Sequence, residues 1–438
     1  MSAGMRVLLV SRRFWPHGSL DKAGHPIQLA SDLKRRGVLV EVLTPRYAAS
    51  WAKQFCFREI PVHRPAMAPR SEWSMGRYVR HLTKWMREQA KHVDLILVDG
   101  AREEATAAID AARILNCPVV VRVGIDEQQS DLDWWDDSRS GQRCANAISL
   151  ADAIICSGAT RHRRLISRGF STQKIFRIDV GFGTASFADQ AQRIAARQAL
   201  AAINRDFHAP PDEPVVFCVC PMESVPKRMD QKKADDGIAV MVQSVQHIVA
   251  RYPLAHCWFI GDGSRRDSIY DTLRGDGVRS SIAMPGSFGN MDDVFAAADV
   301  YVQADEQGLD YFLPAAVSAH LPIVAADLPE VREVLDSDSS KRLHLVDSSV
   351  VGTNSDVSRP TKDLIHWYDI GTPKTFRQAI RSVLDDMPHA QQDAATLYRQ
   401  LVRARPQTTV VDDYENVFQK VIALRRSSNQ GPSMGVIS

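Results

Sequence analysis

Short apolar runs recur along this chain, each followed by a segment with helical spacing, and no other feature limits its fold so much. A run of four to six apolar residues bounded by polar ones reads as a strand buried on both faces, as in a parallel sheet covered by helices. Residues 6–11 (Arg-Val-Leu-Leu-Val-Ser) are the first such run. Residues 26–37 follow as a helix, with Ile27, Ala30, Leu33 and Lys34 on one stripe, Pro26 suited to the first turn and Gly37 to the C-terminal cap. A second strand at 38–43 completes a βαβ unit, whose long first loop faces whatever the sheet binds.

The pattern blurs from 48 to 89, where Pro61, Pro65 and Pro69 interrupt it before a helix at 75–90. It then resumes with strands at 94–98, 118–123, 153–157 and 175–180, and helices at 103–115, 145–151 (the end of one) and 159–168. A second series opens at 215–220, with strands at 256–260, 281–284 and 299–302, helices at 239–251, 265–273 and 291–298, and a further strand begun by Pro322. The expected fold is α/β, with two Rossmann-like domains in succession. Their expected bounds are 1–190 and 215–405, joined by a linker at 191–214 that ends in the turn-rich Ala209-Pro210-Pro211-Asp212-Glu213-Pro214. A serine-rich loop at 347–360, late helices at 375–384 and 410–424 (the latter within a terminal segment, 406–425) and a mobile tail at 426–438 complete the reading.

At 438 residues the chain is long enough for two domains of about 200 residues. With 54 basic against 52 acidic residues the net charge is +2, so no long-range field draws it to nucleic acid. Arg6, Arg12 and Arg13 leave too short an apolar segment for a signal peptide, and no run approaches the roughly 18 residues of a membrane span. A cytoplasmic protein is expected, with no transmembrane segment and with contact at a membrane surface left open. Seven cysteines are scattered without a C-x-x-C pair, which points to buried free thiols and not to a zinc site.

Several positions suit a ligand. The loop 303–313 leaves a buried strand and enters a short helix at 313–319, the place where α/β sheets bind ligands. Gly24, in Ala23-Gly24-His25, lets backbone approach a phosphate ahead of a helix start, and His25 follows it. Arg122 and Asp126 stand at the C-terminal end of a strand. Gly286 and Ser287 do likewise, and could meet a ligand through backbone groups. Glu330, after Pro329, reads as a helix cap, with a ligand-side role as the second reading. Residues 131–137 (Asp-Leu-Asp-Trp-Trp-Asp-Asp) contain a D-x-D spelling, with an aromatic pair that suits partial burial better than sugar stacking. Gly261-Asp262-Gly263 is too short for a dinucleotide fingerprint.

Five segments in order, 151–157, 259–263, 285–288, 297–302 and 321–330, resemble the family 4 (group 1) glycosyltransferases. The resemblance implies the GT-B fold, two Rossmann-like domains facing across a cleft that holds a nucleotide-diphosphate sugar. The nucleotide would lie on the second domain and the acceptor on the first, and the last helix would cross back to the first. No cofactor and no metal would be needed; cations and N–H groups would stabilise the leaving diphosphate.

The family's two-glutamate motif falls on Gln307 and Ala315 when aligned through Pro322, and on Glu306 and Pro314 when aligned through Glu306. Neither register supplies the second carboxylate. Glu306 is the catalytic candidate, with Gln307, Gly308 and Leu309 in the donor loop, and His320 stands where the family has glycine. Pro221-Met222 replaces the family's diphosphate arginine, and the insertion 223–237 brings Lys227, Arg228, Lys232 and Lys233. Arg228 and Lys233 are the donor candidates, and which of the four faces the phosphates stays open. No histidine follows the fourth strand, where the chain reads Val121-Arg122-Val123-Gly124-Ile125-Asp126-Glu127; this leaves His25, Arg122 and Asp126 as acceptor-side candidates.

The implied activity is retaining transfer of a sugar to a hydroxyl of a glycan, lipid or small molecule. A catalytically degenerate GT-B protein, binding nucleotide sugars or acting as a scaffold, is the alternative. A nucleotide-sugar epimerase is a third reading.

Overall fold

A computed structural model of the protein describes residues 4–16, 21–126, 129–220, 222, 237–288, 291–336 and 360–429. The chain divides into two compact units. Lys22–Asp179, with the strand before them and the residues from Thr409 on, make the first; Val180–Thr408 make the second.

The first unit is built on β1 (Arg6–Ser11), β2 (Leu39–Leu43), β3 (Gln54–Phe57), β4 (Ile60–His63), β5 (Leu95–Asp99) and β6 (Val119–Val123). A separate two-stranded ribbon of β7 (Ile125–Asp126) and β8 (Gln129–Ser130) comes next, then β9 (Ala153–Cys156) and β10 (Ile175–Arg177) of the main sheet. The main sheet runs β10-β9-β6-β5-β1-β2-β4-β3, parallel except for β3 against β4. Successive side chains of β1 point to opposite faces, as strand geometry requires. Leu8 and Val10 join a core with Tyr78, Leu82 and Met86 of helix Glu72–Gln89. Val7 and Leu9 join another with Leu29, Leu33 and, from the last helix Gln407–Asn429, Val411, Tyr414 and Phe418. Both faces being covered explains why these strands are apolar throughout. The chain leaves β1 toward β2 on one side and returns at β5 on the other, so the C-terminal ends of β1 and β5 flank the switch point.

In the second unit β11 (Val215–Val219), β12 (His256–Ile260), β13 (Ile282–Gly286), β14 (Val300–Gln303), β15 (Ile323–Ala326) and β16 (His366–Tyr368) run in the order β13-β12-β11-β14-β15-β16. Every neighbouring pair is parallel. Phe217, Trp258 and Tyr301 pack on one face, Val216, Cys257 and Val302 on the other. Its switch point lies between β11 and β14.

Several elements differ from the expectation. Helix Asp21–Arg35 starts five residues early, so Pro26 sits inside it and not in the first turn. Hairpin β3–β4 went unread because its turn uses Arg58 (φ 48°) and Glu59 (φ 62°), left-handed positions that glycine or asparagine normally announce. Helix Gln190–Ile203, expected as the helical start of the linker, packs into the second unit: Arg197 donates to Asp299 (2.7 Å) and Leu200 is in the core of that unit, which begins before residue 190. Helix Met387–Ala404 was missed altogether. The last helix reaches Asn429, into the stretch expected to be mobile; residues 430–438 and the loop 347–359 lie outside the described residues. Six cysteines are buried and Cys56 is exposed.

Candidate functional site

At the first unit's switch point, Asp99 ends β5 and Arg122 is the fourth residue of β6 beside it. Arg122 donates from Nη1 to Asp99 Oδ1 at 3.0 Å, both side chains being about nine-tenths buried. His25, on helix Asp21–Arg35, brings Nδ1 to 3.4 Å from the same oxygen, without hydrogen-bond geometry. The three thus form one cluster. Sequence reasoning named His25 and Arg122 but missed Asp99, although an acid closing an apolar strand was a visible signal. Gly24 does not precede a helix: it is the fourth residue of helix Asp21–Arg35. At the fourth helical position its N–H is past the free donors of the helix start, which are those of the cap and the first three residues. Asp126 lies in the ribbon strand β7.

Arg12, just past β1, is held by carboxylates, donating from Nε to Glu104 Oε1 (2.7 Å) and from Nη2 to Glu103 Oε2 (2.7 Å). The D-x-D stretch is likewise tied within the protein. Buried Asp131 accepts from the amides of Ala101 (2.8 Å) and Gly124 (2.9 Å) and from Arg102 Nε (2.9 Å), while Arg164 pairs with Asp133. Trp135 is buried and donates to the Ala101 carbonyl (2.9 Å); Trp134 lies under Arg102 at 4.8 Å. Among the described residues, no group of three or more His, Cys, Asp or Glu side chains could hold a metal ion.

In the second unit the loop after β14 is shaped by buried Gln303. Its Nε2 donates to the carbonyls of Asp305 (2.7 Å) and Gln307, and its Oε1 accepts from the Tyr301 hydroxyl (3.0 Å). The Gln307 amide donates to Asp305 Oδ1 (2.7 Å), and Gly308, at φ 82°, accepts from the Leu313 amide (2.9 Å). Only glycine takes such a left-handed turn without strain. Leu309 is pinned in the core, whereas Glu306 is partly exposed on the same loop. Ala315 lies in helix Phe312–Ser318, and Pro314 is buried there. Beneath the loop, Tyr368 donates to the Ala304 carbonyl (3.3 Å), and burial with the nearby Asp305 charge raises its pKa well above the usual phenol range.

Gly286 ends β13 at φ 92°, and its carbonyl accepts from the Gly261 amide (3.0 Å). The Ser287 hydroxyl next to it is buried with no protein partner among the described residues. Glu330 is the second residue of helix Pro329–Leu335; it does not cap that helix, whose N-cap is Leu328 with no side-chain cap bond. At the second helical position the glutamate lies past the N-cap, where its charge favours the helix start without capping it. Gly286 and Ser287, the 306–309 loop and Glu330 therefore stand along the C-terminal edge of one sheet. β13 and β14 are three strand spacings apart, about 14 Å. Lys227, Arg228, Lys232 and Lys233 lie outside the described residues.

Residues 25–184 match the model of the Glycosyltransferase Family 4, and residues 225–357 match that of the Glycosyl transferases group 1. The chain belongs to the group 1, family 4 glycosyltransferases. Solved structures agree on its GT-B fold. The sucrose-phosphate synthase of Thermosynechococcus elongatus is 14% identical over 96% of this chain and 100% of its own, with a TM-score of 0.68. HepE of Anabaena, in complex with UDP and glucose, is 15% identical over 95% and 99%, TM-score 0.66. The catalytic domain of starch synthase IV from Arabidopsis thaliana, bound to ADP and acarbose, is 12% identical over 96% and 100%, TM-score 0.66. No curated protein matches the sequence. In this glycosyltransferase the first family match begins at His25, the residue beside Asp99, and the second spans the insertion cations and the 306–309 loop. Among the described residues no helix is long and apolar enough to cross a membrane.

Proposed function

We propose that this glycosyltransferase moves a sugar from a nucleotide-diphosphate donor to a hydroxyl acceptor with retention at the anomeric carbon. The observation that carries the reading is the second unit's sheet edge, within a family-matching stretch. There a left-handed glycine, a buried serine hydroxyl and a loop braced by Gln303 stand at or beside the C-terminal ends of parallel strands. Such edges bind nucleotides. The base would meet backbone groups at Gly286 and Ser287, and the sugar would lie by Glu306 and Gln307.

The diphosphate takes up negative charge as the bond to the sugar breaks, and the insertion's cations, Arg228 and Lys233 first, would stabilise it. His25 and Arg122 would serve the acceptor side from the first unit. The UDP and ADP bound in two solved structures of similar fold support a nucleotide-diphosphate donor. No cofactor or metal is assigned, and a cytoplasmic setting is part of the same proposal.

The test is a thermal-shift screen with UDP-, GDP- and ADP-sugars, followed by acceptor-dependent donor consumption. Glu306→Gln should lower turnover at least tenfold with the shift retained, and Lys233→Ala should weaken the shift. If no nucleotide sugar moves the melting temperature or is consumed, the proposal fails. A shift without turnover across an acceptor panel would select the degenerate binding module, which the absent second carboxylate at Ala315 favours.

A further inference from the structure

Helix Glu72–Gln89 of the first unit has an outer face unlike its inner one. Inward, Tyr78, Leu82 and Met86 are buried in the core. Outward, Trp73, Arg77, Arg80, His81 and Lys84 are exposed, at spacings that put them on one stripe. Trp73 is 77% exposed, although an indole is among the side chains with most to gain from leaving water. Arg77 stacks on that indole at 4.4 Å. Lys84 meets Glu88 only at 3.9 Å, across an exposed pair that contributes little.

We propose that this stripe is a contact surface for anionic phospholipid. A helix lying in the plane of a bilayer surface needs an aromatic at headgroup level and cations facing the phosphates; Trp73 supplies the first, and Arg77, Arg80 and Lys84 the second. The inner face being fixed in the core, the helix presents this stripe without unfolding. Nucleic acid fits less well, because the chain's net charge is only +2 and the cations form a single short row ending in an indole. The inference does not rest on the sugar-transfer reading.

The full-length protein is sedimented with phosphatidylcholine vesicles, with and without one third phosphatidylglycerol, at low and high salt. Binding should appear only with the anionic lipid and fall with salt. Arg77→Gln/Arg80→Gln/Lys84→Gln should lower the partition coefficient about a hundredfold, at about fivefold per cation. Trp73→Ala should lower it about tenfold, and should reduce the quenching of tryptophan emission by brominated lipid. All four positions are exposed, so the variants should keep the parent's melting temperature. Equal binding to neutral vesicles, an undiminished triple variant, or retention on DNA with no vesicle binding would each overturn the proposal.

Discussion

Gly237 and Ala304 meet backbone to backbone: a methyl group on Gly237 would stand 1.9 Å from the Ala304 carbonyl oxygen. Gly237 opens helix Gly237–Arg251, and Ala304 follows β14 at the head of the candidate donor loop. The same carbonyl accepts from Tyr368, so it cannot swing away freely. Gly237→Ala should therefore destabilise the second unit by about 2–3 kcal/mol, as overpacking against rigid backbone does. Urea denaturation would measure it, and a loss below about 0.5 kcal/mol would mean that the helix start shifts without strain.

Gln303 does for the loop what backbone pairing does inside a sheet. Replacing it with leucine, of similar size, takes one hydrogen bond each from the carbonyls of Asp305 and Gln307 and from the Tyr301 hydroxyl. A loss of about 2 kcal/mol is expected, since buried polar groups left unmatched carry a desolvation cost. On the proposed function, the stabilisation by nucleotide sugar should also shrink, because Glu306 and Gln307 lose their fixed positions. Unchanged melting and unchanged ligand shift would show the loop to be held by other contacts.

The Arg122–Asp99 pair gives a cleaner energetic test. Arg122→Leu removes the guanidinium from a carboxylate that is about nine-tenths buried, and should cost about 3 kcal/mol. Asp99→Leu in the same background should recover part of that loss. A double-mutant cycle on the unfolding free energy reads the coupling, and additive single effects would deny it.

His320 makes stability depend on pH. It sits at φ 56°, with Tyr398 at 4.6 Å and Phe187 at 5.6 Å between ring centres, and burial together with the Arg399 charge lowers its pKa below the usual 6.5. A base with a lowered folded pKa takes up more protons when unfolded. Its contribution is therefore complete above about pH 6.5 and is lost as pH falls toward the folded value. His366, also lowered by burial, acts in the same direction. His320→Asn keeps a residue that tolerates positive φ and removes one titration. Thermal melts between pH 7.5 and 5 should fall less steeply in the variant than in the parent.

Along most of the chain, periodicity alone was enough to draw the fold. Strands such as Arg6–Ser11 and His256–Ile260, and helix Glu103–Leu115, follow their apolar patterns, because a strand covered on both faces is mostly apolar and a helix must turn one stripe inward. The GT-B likeness came from the order of such segments. The local sequence failed where conformation was imposed from elsewhere: the Arg58-Glu59 turn, held by pairing of β3 with β4, and Pro26, carried inside a helix that begins earlier. Only the tertiary structure joined His25, Asp99 and Arg122, which are 74 and 23 residues apart in turn, at one sheet edge. It alone showed that Asp131 of the D-x-D stretch is engaged by two amides and an arginine. A residue's own type fixes what it can bond to, but only the crossing of strands and helices from distant parts of the chain fixes which partner is there.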